Sequence, residues 1–102
     1  MNPNATKPPM PKVILKGFIL VPDDDLTIIQ KELENHKRLT RNEPGCLVFE
    51  VNQNTKNPNR FDVYEEFTNK AAFESHQARV KNAYWGRITK HIKRHYDIYN
   101  ET

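Results

Sequence analysis

The order of the hydrophobic patterns along the chain constrains the fold more than any other feature of the sequence. Apolar runs and alternations typical of β-strands occupy residues 13–21, 46–52, 60–67 and 91–99. Apolar side chains follow a helical period over residues 24–41, and again from the predicted cap Thr68 to Ile88. The order β-α-β-β-α-β predicts an α+β, ferredoxin-like fold, with both helices on one face of an antiparallel sheet.

The length of the chain predicts one folded domain, because 102 residues are enough for a single core. Four of the seven prolines lie in residues 1–12, which predicts a disordered tail there. The predicted folded domain therefore covers residues 13–102.

The composition excludes several classes of partner and site. A single cysteine, Cys46, excludes an internal disulfide and a multi-cysteine zinc site, and makes the cytoplasm the expected compartment. The formal net charge of +3 is too small to indicate a nucleic-acid partner. The longest apolar-rich run, residues 13–21, is too short to span a bilayer. We therefore expect no nucleic-acid and no membrane partner.

The first predicted strand is apolar on both faces, although a ferredoxin-like sheet has helices on only one. Ile14, Phe18 and Leu20 fall on the face opposite Leu15 and Ile19. An apolar patch on the open face would mark an interface, so we expect a homodimer that forms through the sheets.

Three titratable residues interrupt apolar faces and form the candidate catalytic group. His36 and His76 lie within the apolar stripes of the two predicted helices, and Glu65 lies on an apolar face of the third strand. If that face lies under the helices, all three converge in one pocket, which is the usual setting of a small-molecule site. Each residue also has a structural interpretation, as a core histidine or a carboxyl with a structural partner.

A basic segment covers residues 79–94, which hold six lysines and arginines and no acidic residue. Such a run is usually a solvated face, and the alternative is a site for an acidic or phosphorylated ligand. An RNA-recognition motif is rejected, because the third strand carries three acidic residues where phosphates would approach.

Three segments of the sequence together resemble the antibiotic biosynthesis monooxygenase domain family. They are residues 43–47 (EPGCL), 61–67 (FDVYEEF) and 72–76 (AFESH), and the resemblance covers residues 13–99. It implies a dimeric α+β barrel of ferredoxin-like subunits. Members of the family include cofactor-free oxygenases of quinols and anthrones, haem-degrading enzymes and an isomerase of the phosphorylated autoinducer-2 signal.

The sequence is most similar to the quinol-monooxygenase-like and isomerase branches of that family. The haem-degrading branch has an asparagine on the first strand and a histidine late in the second helix. This chain has Lys16 and Gly17 on the strand, and no histidine lies between His76 and His91. Haem degradation is therefore disfavoured.

The resemblance implies a reaction between a small molecule and dioxygen that needs no metal and no other cofactor. His36 or His76 would remove a proton from the substrate, and Glu65 would orient that histidine and stabilise its charge. The predicted walls of the pocket are aromatic: Phe49, Phe61, Phe67, Tyr84 and Trp85. Two alternatives stay open, a proton-transfer isomerase of a small phosphorylated metabolite and a non-catalytic dimeric binding module.

Overall fold

The computed structural model describes residues 11–101 of the chain. A 3₁₀ turn, Asp23–Asp25, precedes the first helix. The strands and helices, in chain order, are β1 (Lys12–Leu20), α1 (Leu26–Arg41), β2 (Cys46–Gln53), β3 (Arg60–Phe67), α2 (Lys70–Asn82), α3 (Tyr84–Ile88) and β4 (Lys93–Glu101).

The four strands form one antiparallel sheet in the order β2-β3-β1-β4, so the ferredoxin-like prediction is confirmed. β1 and β3 occupy the centre, and their alternate side chains point toward the helices. The register places Leu15 opposite Glu65, and Glu65 opposite Phe49 on the other side. Glu65 therefore lies in the middle of the helix-covered face.

The core lies between the helices and this face of the sheet. From α1, Ile29 and Leu33 are buried on the predicted stripe, together with His36 and Thr40. They pack against apolar side chains of the strands, including Leu15, Ile19, Phe49, Val51, Phe61 and Val63. Burial of each such side chain contributes about 1.5–3 kcal/mol, so this layer holds the helices onto the sheet.

The helix starts differ from the predicted ones. α1 begins at Leu26, and no aspartate of the preceding 3₁₀ turn caps it with a side chain. Asp25 instead contacts His91 Nε2, with 2.7 Å between the two side chains. Asn69, and not Thr68, caps α2, since the Asn69 side chain accepts from the backbone N–H of Ala72.

The predicted second helix is interrupted. Ala83 is extended, with φ −89° and ψ 164°, so the chain turns between α2 and the short α3. This extended residue resets the helical phase, and Trp85 faces inward in place of Tyr84. β4 also begins two residues later than predicted, at Lys93, because His91 and Ile92 belong to the preceding turn.

Two further predictions concern the N-terminal tail and the dimer surface. Residues 1–10 lie outside the described part of the chain, whereas Lys12 is the first residue of β1. On the open face Ile14 is 1% exposed, and Phe18 lies between the guanidinium of Arg60 and the ring of His95. Of the predicted patch only Leu20 is well exposed, at 39%, so β1 does not present a broad apolar surface, and the homodimer remains a prediction.

Gly86 allows α3 to lie against the end of α2. A Cβ at this position would lie 1.9 Å from the Val80 carbonyl oxygen. We predict that Gly86→Ala lowers the free energy of unfolding by about 1–3 kcal/mol, although alanine favours helix. Urea unfolding measures this change, with Glu74→Ala on the exposed face of α2 as a control that shifts stability by about 0.5 kcal/mol or less. Equal stability of Gly86→Ala and the wild type would show that α3 does not need this close approach.

Candidate active site

His36, Glu65 and His76 come together between the sheet and the helices. α1 supplies His36, β3 supplies Glu65 and α2 supplies His76, and each residue is 6% exposed or less. The ring centroids of the two histidines are 6.2 Å apart. His76 Nε2 lies 3.9 Å from Glu65 Oε1. The helical and strand periods therefore direct three side chains from distant segments to one place.

The carboxylate that holds His76 is Glu43, not the predicted Glu65. His76 Nδ1 lies 2.9 Å from Glu43 Oε1, whereas the 3.9 Å to Glu65 is too long for a hydrogen bond. Arg79 donates both to Glu43 and to the hydroxyl of Thr40. The Glu43 carboxylate is thus held by Arg79, and it holds the imidazole ring of His76 in turn.

This contact decides which nitrogen of His76 carries the proton. A carboxylate accepts only, so the His76 Nδ1–H donates to Glu43 and the neutral ring keeps its lone pair on Nε2. Nε2 is the atom nearest to Glu65. His76 therefore presents a proton acceptor to the Glu65 carboxyl.

Burial controls the ionisation of all three groups. It raises the pKa of Glu65 to about 8, and the negative charge of Glu43 adds to the rise. It lowers the pKa of His36 to about 3, with smaller effects from His76 and Arg79. Burial also lowers the pKa of His76, although Glu43 opposes it. At neutral pH Glu65 is therefore mainly protonated and both imidazoles are neutral.

A small cavity adjoins two of these groups. Its wall includes His36, Phe49, Glu65, Trp85, Arg94 and Tyr96, and its volume is about 30 Å³. That is room for about one or two water molecules. His36 Nδ1 and Glu65 Oε1 are buried and have no hydrogen-bond partner among the described residues. A buried polar group without a hydrogen-bond partner costs about 1–3 kcal/mol. Such groups need an explanation, and a ligand that supplies the missing partner is one.

The structure separates the predicted aromatic wall into two groups. Trp85 stacks on His36 with 4.6 Å between ring centroids, and the His36–Phe49 pair is edge-to-face at 5.2 Å. Phe61 and Phe67 are buried on the same face as Glu65, but they end β3 and do not line the cavity. Six residues of strand span about 20 Å, so Phe61 and Phe67 cannot both line one small cavity. Tyr84 is 46% exposed and also lies outside the cavity wall.

Three polar residues of the site were missed from the sequence. Glu43 lies in the turn after α1, where no hydrophobic period marks it. Arg94 and Tyr96 are alternate residues of β4 and share the helix-facing side with the strand residues they pair with, Ile19 and Gly17. Burial, followed by the charge of Glu65, raises the pKa of Tyr96 to about 12. The strand alternation alone could have identified the latter pair.

Among residues 11–101, no three His, Cys, Asp or Glu side chains form a group that could hold a metal ion. No helix in this range is long and apolar enough to cross a membrane.

Comparison with known proteins identifies the family. The family model described as antibiotic biosynthesis monooxygenase matches residues 13–87, which is most of the chain. The chain belongs to this family. The match runs from β1 into α3 and includes His36, Glu65 and His76. No curated protein matches the chain significantly.

Solved structures of similar fold come from several organisms. A Shewanella oneidensis protein is 22% identical, with a TM-score of 0.76, and the match covers 90% of this chain and 92% of that one. A Deinococcus radiodurans protein that bears the family's name is 24% identical, with a TM-score of 0.76 and coverage of 88% and 92%. A Methanosarcina mazei protein is 15% identical, with a TM-score of 0.72 and coverage of 91% and 95%. These likenesses show a shared fold.

The raised pKa of Glu65 predicts how the free energy of unfolding depends on pH. The unfolded chain loses this proton near pH 4.5 and the folded chain near pH 8, so the folded state holds one more proton between these values. Its stabilising effect is complete at low pH and is lost as the pH rises through 8. Between pH 6.5 and 8 we expect the unfolding free energy to fall by about 1–2 kcal/mol from this group.

Urea unfolding of Glu65→Gln, compared with the wild type at each pH, measures that contribution. The variant is expected to lack the decline, because glutamine does not titrate. Glu66→Gln is the matched control, since Lys12 and Tyr64 hold the pKa of Glu66 below its usual value and it is ionised throughout this range. Parallel profiles for the wild type and Glu65→Gln would mean that Glu65 is ionised in the folded protein.

Proposed function

We propose that this protein is a cofactor-independent monooxygenase of a quinol-like or other electron-rich aromatic small molecule. The observation that carries the proposal is the pair of unsatisfied polar atoms, His36 Nδ1 and Glu65 Oε1, on residues that wall one aromatic-lined cavity. Membership of the antibiotic biosynthesis monooxygenase family supports the same chemistry.

Glu65 is the group best matched to proton transfer at neutral pH. General acid–base catalysis is most efficient when the pKa of the group lies near the working pH, and that of Glu65 is about 8. The carboxylate form takes a hydroxyl proton from the substrate. His76 Nε2, oriented through Nδ1 by Glu43, lies 3.9 Å from Glu65 Oε1 and offers its lone pair on that side of the carboxyl. His36 is a weak base with a pKa of about 3, and its neutral ring forms a hydrogen bond with the second substrate oxygen.

The reaction balances without any added reductant. The deprotonated ring passes electrons to dioxygen, and a C–O bond forms at a ring carbon that carried hydrogen. The O–O bond then breaks, and the second oxygen leaves as water. Oxygen insertion into the C–H bond supplies two electrons and oxidation of the quinol to the quinone supplies two. Of the hydrogens on the two hydroxyls and the ring carbon, two leave in water and one remains on the new hydroxyl.

An aromatic substrate needs more room than this small cavity offers. Ligand pockets usually measure about 300–1,000 Å³, whereas the volume of this cavity is about 30 Å³. Trp85 forms part of the wall, and it is carried by α3, a five-residue helix that follows the extended Ala83. Admission of the substrate therefore includes a displacement of Trp85 from its stack on His36.

The same proton-transfer groups also suit an isomerase of a small phosphorylated metabolite. In that reaction Glu65 and His76 move a proton between two carbons, and no dioxygen is consumed. The observation that favours this second candidate is the basic surface beside the cavity, which includes Arg87, Lys90 and Arg94. Dioxygen consumption separates the two candidates.

Oxygen uptake with menadiol tests the monooxygenase. We expect consumption above autoxidation and, in ¹⁸O₂, one labelled oxygen in the organic product. Glu65→Gln is expected to lower kcat by about 10²–10⁴-fold, the usual contribution of a general acid–base group. Glu74→Gln, on the exposed face of α2, is the control and should keep wild-type kcat.

Two results would contradict the monooxygenase. One is uptake no faster than autoxidation. The other is stoichiometric hydrogen peroxide with an unlabelled quinone, which indicates an oxidase. Fluorescence of Trp85, the only tryptophan of the chain, reports substrate binding separately from turnover.

Glu43 has a separate prediction as a positioning residue. Glu43→Gln keeps a hydrogen-bond acceptor for the His76 ring but removes the charge that opposes the lowering of its pKa. We expect kcat to fall by about tenfold, with the KM for menadiol unchanged, and the NMR titration of His76 to shift to lower pH. An unchanged His76 titration in this variant would remove Glu43 from the proposed mechanism.

A further inference from the structure

A second, larger space lies on the surface beside the small cavity. It is a cleft between the end of α2, α3 and the start of β4, with a volume of about 550 Å³. Four cationic side chains line it, Lys81, Arg87, Lys90 and Arg94, together with the amides of Gln77 and Asn82. Its size falls in the range of small-molecule pockets, in contrast to that of the small cavity.

The four cations have no acidic partners in the described part of the chain. None of them has a carboxylate oxygen within 4.0 Å there, and residues 79–94 contain no aspartate or glutamate. Elsewhere cations do pair: Lys12 with Glu66 at 3.0 Å and Arg60 with Asp62 at 2.7 Å. Like charges gathered around one concave surface repel each other, and a bound anion relieves this repulsion.

The two arginine side chains of the cleft are held in place by neutral acceptors. Arg87 donates to the Asn82 carbonyl oxygen at 3.1 Å, and Arg94 donates to Thr89 Oγ1 at 2.9 Å and to the Ile92 carbonyl oxygen at 3.1 Å. An arginine has five N–H donors, so each keeps donors for a ligand. A fixed guanidinium with free donors is suited to phosphate or carboxylate, which accept two parallel hydrogen bonds.

Arg94 connects the cleft to the candidate active site. The same side chain lines both the cleft and the small cavity that His36 and Glu65 also line. A molecule with its anionic end in the cleft can therefore reach past Arg94 toward those groups. We infer that the cleft binds the phosphate or carboxylate group of the small-molecule substrate. The cleft as an anion site stands on its own geometry, whereas its assignment to the substrate rests on the proposed function.

Binding of inorganic anions tests the cleft without any turnover. Phosphate and acetate are titrated separately into the full chain, and the backbone amide signals of residues 86–90 are followed by NMR. We expect saturable shifts with at least one of the two anions, which then names the preferred group. The double variant Arg87→Gln/Lys90→Gln should weaken that affinity by about tenfold or more, as expected for the loss of charged hydrogen bonds.

A matched variant controls for the change in overall charge. Lys31→Gln removes a cation from the exposed side of α1, away from the cleft, and should keep wild-type affinity. Equal affinity of the wild type and the double variant for both anions would overturn the inference. So would an RNA oligonucleotide that displaces phosphate and loses affinity in the double variant, since the cleft would then belong to nucleic acid.

A pair of substrates tests the assignment to the reaction. Menadiol and 1,4-dihydroxy-2-naphthoate share one ring system, and the second has a carboxylate in place of the methyl group. We expect kcat/KM to favour the carboxylate by about tenfold or more in the wild type and in Lys31→Gln, and the preference to disappear in the double variant. If neither quinol is oxidised while anion binding follows the expected pattern, the monooxygenase fails and the anion site stands. If both quinols are oxidised with no preference for the carboxylate, and no anion binds in the cleft, the anion site fails and the monooxygenase stands.

Discussion

The burial of one carboxyl group, Glu65, determines the chemistry of the whole site. β3 places this side chain in the centre of the sheet face that the helices cover, where it is 6% exposed. An ionised carboxylate without partners is costly there, so the group keeps its proton to a pKa of about 8. A proton is therefore held at neutral pH beside a cavity, although an exposed glutamate would already have lost it.

The surroundings of Glu65 are arranged around this proton. Glu43, braced by Arg79, fixes the His76 ring so that its lone pair lies toward Glu65. Trp85 and Phe49 exclude water from His36, which stays neutral as a result. Glu43 and Arg79 do not line the cavity, whereas the cation Arg94 is part of its wall together with His36 and Glu65.

Much of this arrangement was accessible from the sequence, because it depends on local period. Strand alternation placed Glu65 on the inner face, and helical spacing placed His36 and His76 on the inner sides of α1 and α2. The same reasoning failed where the period is interrupted. The extended Ala83 shifts the phase of the following residues, so Trp85 lines the cavity while Tyr84 lies on the surface. Spacing along β3 also separates Phe61 and Phe67 from the cavity, since a shared face does not mean a shared location.

The sequence by itself determined the order of the elements, the ferredoxin-like topology and the inward direction of the three titratable residues, since each follows from a repeat of a few residues. Only the tertiary structure decided that Glu43 holds His76, that the cavity is small and that Arg94 borders both it and the basic cleft. These features depend on contacts between segments far apart in the chain: Glu43 and His76 are 33 residues apart. No local period encodes which distant side chain will fill the space beside a buried ring.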